Sequence, residues 1–192
     1  MAAGREGHDW PVPTAPDPTA VLLRRITAWV IDLAMFVVLE LVLIVGLGRH
    51  RTGISCDVAK SGHAFSQCIS VGTNTWLVTG GRFWAALAVS VTWFVLIPGV
   101  LQGEAAATPG KFATGLRVVR ADGYRCGVGR ALLRSLCWAI DGFPVLLGPV
   151  VGGVAMVSTR GHRRVGDLAA DTYVVRSTAY GTALPVTILP AL

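Results

Sequence analysis

An apolar run from residue 26 to residue 47, with Asp32 and Glu40 as its only charges, restricts this chain to few folds. About 20 predominantly apolar residues cross a bilayer as a helix. A carboxylate at that depth costs about 2.5–3.5 kcal/mol on insertion scales, which predicts a bracing or working role for each of the two. Residues 83–101 and 131–157 form two further apolar stretches. The third holds Arg134, Asp141, Gly142, Pro144, Gly148 and Pro149, and such Gly/Pro clusters break helices. It is either one kinked span or a helix that enters and turns back, the latter tolerated only where protein or water covers the freed backbone groups. The start of the first run, Arg25-x-x-x-Trp29-x-Ile31-Asp32, recurs as Arg134-x-x-x-Trp138-x-Ile140-Asp141. This is an internal repeat, or a chance match between two apolar helix starts.

Composition agrees with a membrane setting. Hydrophobic residues make up 53% and charged residues 15%, where soluble domains carry about 25% charged. The 192 residues suit one domain. We divide the chain into a proline-rich disordered tail (1–20), a membrane domain (21–177) and a C-terminal tail (178–192). Residues 1–19 lack the apolar core of a signal peptide. The net charge of +6 fits arginines facing anionic lipid heads. No zinc-finger spacing or RNA-binding motif points to nucleic acid.

Lysine and arginine placement orients the chain. With both termini cytoplasmic, Arg49, Arg51, Lys60 and Arg82 are the four outside, against twelve inside. A cytoplasmic C-terminus favours a third segment that does not simply cross once. Residues 115–123 and 172–176 both read as short β-branched strands, which pair only if they share a side. The expected fold class is therefore an all-α membrane protein with three apolar segments, the third broken, and a small cytoplasmic β element.

Cys56 and Cys68 fall in the loop placed outside, where an oxidising face permits a disulfide; the alternative is two unrelated thiols. Cys126 and Cys137 are expected free. His63 beside Cys56 and Cys68 lacks zinc-site spacing, so no metal and no cofactor is expected. Thr108-Pro-Gly110-Lys111-Phe112 resembles a phosphate loop only in part. Walker A requires a glycine where Ala105 stands and Ser or Thr where Phe112 stands. Neither G-x-S-x-G nor H-E-x-x-H occurs. His162 reads as a surface residue and Glu104 as a snorkelling interface charge, and no enzyme activity is expected.

Four ordered segments together resemble the RDD family of membrane proteins: Arg25-x-x-Ala28-x-x-Ile31-Asp32; Thr108-x-Gly110-Lys111-x-x-x-Gly115-Leu-Arg117-Val-Val; Arg130-x-x-x-Arg134 with Ile140-Asp141-x-x-Pro144; and Arg164-x-Gly166-Asp167-Leu-x-Ala170-x-Thr172. The resemblance implies that the family's arginine and two aspartates are Arg25, Asp32 and Asp167. It also implies a cell-membrane, multi-pass protein whose molecular activity is undefined, with solute transport as one suggestion. Two positions depart from the pattern: Asp171 replaces a usual glycine, and Gly166 replaces a histidine that many members carry.

Arg25 and Asp32 sit about 10.5 Å apart in depth on one helix face. Helical side chains lean toward the N-terminus, so Arg25 points away from Asp32 and toward Asp167 at the cytoplasmic interface. Asp32 then needs another partner, with Arg134 and Thr92 as candidates. Two functions fit. Asp32, Asp141 and Glu40 line a path for ions or small solutes, which requires a homo-oligomer because three segments cannot enclose one. Alternatively, the protein is a non-catalytic accessory that organises a membrane partner protein. Both place it in contact with the lipid bilayer.

Overall fold

The computed structural model describes residues 17, 19–138, 150–159 and 161–185. Two helices among them are long and apolar enough to cross a membrane. Helix α1 (Leu22–Leu47) has no internal proline and no glycine before Gly46. Its 26 residues reach about 39 Å at 1.5 Å per residue, beyond the ~30 Å hydrocarbon core. Ala28 is the helix's one buried residue, while Leu23, Val38 and Val42 are 79%, 59% and 62% exposed. Such a surface is stable in lipid and not in water. The helix ends where Gly48 donates its N–H to Ile44 O at 2.9 Å.

The second candidate span starts as α3 (Gly81–Val95), widens into a π-helical turn (Leu96–Leu101) and closes as α4 (Gln102–Ala105). Pro98 lies inside the widened turn. A proline there lacks an N–H and crowds the preceding turn, and a π-bulge absorbs the mismatch. The Pro98 carbonyl accepts from Ser135 Oγ at 3.1 Å and from Gln102 Nε2 at 3.2 Å. Gly99 lets Leu132 pack against the turn; a Cβ there would lie 2.4 Å from Leu132 Cδ2.

Two small sheets lie at opposite ends of α1. Beyond its C-terminus, β1 (Arg49–Thr52), β2 (Ser66–Val71) and β3 (Asn74–Thr79) form an antiparallel sheet in the order β1-β3-β2. Gly72, at φ +60°, opens the two-residue loop of the β2–β3 hairpin, as type II′ turns require. Cys56 in helix α2 (Cys56–Lys60) is disulfide-bonded to Cys68 in β2, with Cα atoms 5.8 Å apart. This sheet corrects the all-α expectation.

At the other end, β4 (Leu116–Val119) pairs antiparallel with β5 (Tyr173–Arg176), with Val118 opposite Val174. Two strands alone are marginal in water. This pair is stable because Leu116, Val118, Val119, Tyr173, Val174 and Val175 are all fully buried. Val21 just before α1, Ala28 of α1, Cys126, and Ala131 of α6 (Val128–Leu136) complete one side of that core. Short helices α5 (Pro109–Ala113), α7 (Val150–Ser158) and α8 (Val165–Ala169) surround it.

The stretch 131–157 does not form one long helix among the described residues. Its ends are the nine-residue helices α6 and α7. Asp141 and residues 139–149 lie outside the described residues. The described part of α6 carries Arg130 and Arg134 within two turns and buries Arg134 in the β4–β5 assembly. A helix that binds its arginine to that assembly is not entering lipid at that point, so three plain spans are not what the described residues show.

Candidate functional site

Asp167 is the centre of the β4–β5 assembly. It sits in the first turn of α8, is 0% exposed, and accepts the backbone N–H of Arg164 at 3.3 Å. Three guanidiniums converge on it. Arg25 Nη1 lies 3.3 Å from Oδ2, Arg134 Nε 2.9 Å from Oδ1 and Arg164 Nε 3.7 Å from Oδ1. Burial alone would raise the carboxyl's pKa. The charges of Arg134, Arg164 and Arg25 outweigh it and hold the group below its ordinary value. Asp167 therefore carries its charge at neutral pH.

The two arginines of the repeated segment occupy the two oxygens of this one carboxylate. Arg25 also donates to His162 O at 2.7 Å and to Val174 O at 3.2 Å, so it ties α1 to the 162–174 segment. Its role here goes beyond orienting a helix. Arg163, the neighbour of His162, is 4% exposed. Its guanidinium lies 4.4 Å over the Tyr173 ring and donates to Asp167 O at 3.1 Å and Asp171 Oδ1 at 3.0 Å. Asp171 stands at φ +48°. That is a left-handed conformation glycine adopts freely and Asp tolerates, so the substituted glycine leaves the turn intact and adds a partner for Arg163.

Asp32 meets neither Arg134 nor Thr92 in a hydrogen bond. Thr92 Oγ1 is turned back to Ala88 O at 2.8 Å. Both oxygens of Asp32 instead go to the start of α5: Oδ2 accepts from Thr108 Oγ1 at 2.5 Å and Oδ1 from Gly110 N–H at 2.7 Å. Thr108 caps that helix and Pro109 follows at its first position, a common helix-start pairing. A Cβ on Gly110 would lie 2.1 Å from Ala28 O and 2.9 Å from Asp32 Oδ1, so only glycine permits this approach. Lys111 Nζ donates to Gln102 Oε1 at 2.7 Å and lies 3.4 Å from Thr108 Oγ1. Burial, reinforced by Arg134 and Arg164 and opposed by Asp32 and Asp167, pushes the Lys111 pKa down to about 7.

Glu40 lies eight residues along α1 from Asp32, about 12 Å at helical rise. Its Oε1 accepts from Ser90 Oγ at 2.5 Å and its Oε2 from Gln67 Nε2 at 3.3 Å. Between the two carboxylates, Phe36 packs on Phe94 with ring centroids 5.0 Å apart. Glu104 pairs with exposed Arg125 at 2.8 Å.

A cavity of about 360 Å³ opens beside Asp167, lined by Arg25, Asp32, Lys111, Arg134 and Arg164 on its polar side. Trp29 and Trp138, the tryptophans of the repeated segment, both line it as well. Among the described residues, no three His, Cys, Asp or Glu side chains gather as a metal set.

Residues 19–171 match the model of the RDD family, most of the chain and all of the charged residues of the site just described. No curated protein and no solved structure matches the chain.

Proposed function

The chain belongs to the RDD family, and from that premise we propose that it is a multi-pass cell-membrane protein acting without catalysis, as an accessory component that docks a membrane partner. The observation that carries this reading is the state of the α1 carboxylates. Both oxygens of Asp32 and both of Glu40 accept hydrogen bonds from neighbouring elements, and an aromatic contact separates the two residues. Carboxylates so engaged brace helices. A conducting path calls for carboxylates that exchange partners. The exposed apolar face of α1 is the surface on which a partner helix would pack.

Transport is the second reading, favoured by Lys111, whose pKa near 7 and place beside Asp32 suit a proton-linked step. Proteoliposomes separate the two. Reconstituted wild-type protein is expected to show no ion flux that Asp32→Asn or Glu40→Gln removes, and to co-purify with a stable membrane partner from native membranes. Flux lost in folded Asp32→Asn, with no partner, would make the protein a carrier.

The Arg25 end faces the cytoplasm in this proposal. The twelve-to-four charge split supports that orientation, as does the disulfide at the far end of α1, which persists only on an oxidising face. A membrane-impermeant maleimide on intact cells should label Cys56 and Cys68 only after an impermeant reductant has been added. Labelling without reductant, or only after permeabilisation, would reverse the orientation or remove the bridge.

A further inference from the structure

The cavity beside Asp167 holds more positive charge than its carboxylates balance. Arg25, Lys111, Arg134 and Arg164 line it, against Asp32 in the wall and Asp167 among the guanidiniums. Both Asp32 oxygens are already engaged by Thr108 and Gly110. Arg134 is the telling residue. Its side chain is 3% exposed, and its Nη1 is buried with no hydrogen-bond partner among the described residues. Arg25 Nε is in the same state. Buried guanidinium N–H groups are almost always satisfied, and two of them unpaired beside one cavity mark the place of an acceptor. The rest of the lining includes apolar Ile26, Trp29, Trp138 and Met156. A volume of about 360 Å³ falls at the small end of ligand pockets.

We propose that this cavity is a binding site for a phosphate-class oxyanion, with Arg134 and Arg25 as its donors, Lys111 as a further cation, and the two tryptophans as the wall for whatever apolar group the phosphate carries. Guanidinium–phosphate contacts are charge-assisted and frequently bidentate, and an anion here completes donors that Asp167 leaves unpaired. A lipid headgroup and a free phosphate share this chemistry. The site stands whether the protein docks a partner or moves a solute.

The test uses the full chain, purified in neutral detergent and stripped of lipid. Inorganic phosphate, dioctanoyl phosphatidic acid and succinate are titrated separately by calorimetry and tryptophan emission. At least one phosphate-bearing probe should bind, with succinate at least tenfold weaker. Binding of phosphatidic acid alone assigns a lipid headgroup, and binding of inorganic phosphate assigns a free one. Lys111→Met should weaken the probe that binds at least tenfold. The ligand-induced change in emission should vanish in the Trp29→Phe, Trp138→Phe double variant, which leaves every charge in place and serves if Lys111→Met does not fold. The proposal is overturned if neither phosphate probe binds wild type, if succinate binds as tightly, if folded Lys111→Met binds unchanged, or if the emission change survives the double variant.

Discussion

Asp167→Asn should leave little folded protein in the membrane. The substitution keeps the shape and removes the one charge that holds three guanidiniums together: Arg25 at 3.3 Å, Arg134 at 2.9 Å and Arg164 at 3.7 Å. Removing one partner of a buried ion pair typically costs 3–5 kcal/mol, about 4 in the middle, because the other charge stays buried and uncompensated. Here more than one arginine is left, and marginal domains have only about 5–15 kcal/mol in total. Detergent-extracted, monodisperse protein is the quantity to measure, with the melting midpoint of whatever remains. Wild-type yield and midpoint would remove Asp167 as the organising residue. Exchanging Arg25 and Asp167 should recover little, since an arginine at position 167 would face Arg134 and Arg164. A simple pair would recover most of the loss, so the size of the rescue reads the geometry directly. The sign with pH follows from the depressed pKa. The contribution is complete above the ordinary value of 3.8 and is lost only as pH falls below it, through the folded value. Stability should therefore not fall on Asp167's account between neutral pH and pH 5.

Local signals in the sequence led to the right elements, and the parts that stayed hidden depend on contacts distant along the chain. The first apolar run is a helix because nothing in residues 26–45 breaks one. The 115–123 and 172–176 segments pair because their β-branched residues have one buried destination. Leaning of helical side chains toward the N-terminus sends Arg25 away from Asp32 and onto Asp167. The three-stranded sheet was not legible in the same way. All four residues of β1, Arg49 to Thr52, are exposed, so no hydrophobic alternation announces them, and pairing with β3 alone makes them a strand. The burial of Arg163 was not legible in a run of His-Arg-Arg, because Tyr173 and Asp171 close over it only in the fold. Asp32's partners were missed although Thr108-Pro109 was in view. Read for phosphate chemistry, that dipeptide fails. Read as a helix start, it offers a capping hydroxyl and free N–H groups to a half-buried carboxylate. The recurrence of Arg-x-x-x-Trp at 25 and 134 had no visible meaning in one dimension. In the fold, both arginines take oxygens of one aspartate and both tryptophans line one cavity.

Gly110→Ala tests the other joint of the assembly, and it should be nearly as damaging as loss of Asp167. The added methyl would sit 2.1 Å from the carbonyl oxygen of Ala28 and 2.9 Å from the Asp32 carboxylate. One of these is helix backbone, so α1 and α5 must separate; no side chain can swing aside. Overpacking of this kind costs about 1–3 kcal/mol. Separation also breaks the bonds from Gly110 N–H and Thr108 Oγ1 to Asp32, leaving a half-buried carboxylate short of donors at about 1 kcal/mol more. The expected sum is about 2–4 kcal/mol, read as a fall in melting midpoint and in extracted yield. Gly46→Ala is the matched control. It lies in the same α1, meets nothing within 4 Å, and should be neutral or stabilising by up to about 1 kcal/mol, since alanine favours helix. Asp32→Asn should fall between them, because the amide oxygen still accepts from Gly110 while the charge and the bond from Thr108 Oγ1 are lost. If Gly110→Ala matches Gly46→Ala, α5 does not depend on its contact with α1. If Asp32→Asn is as destructive as Gly110→Ala, the charge of Asp32 and its bond from Thr108, more than the contact with Gly110, hold the two helices together.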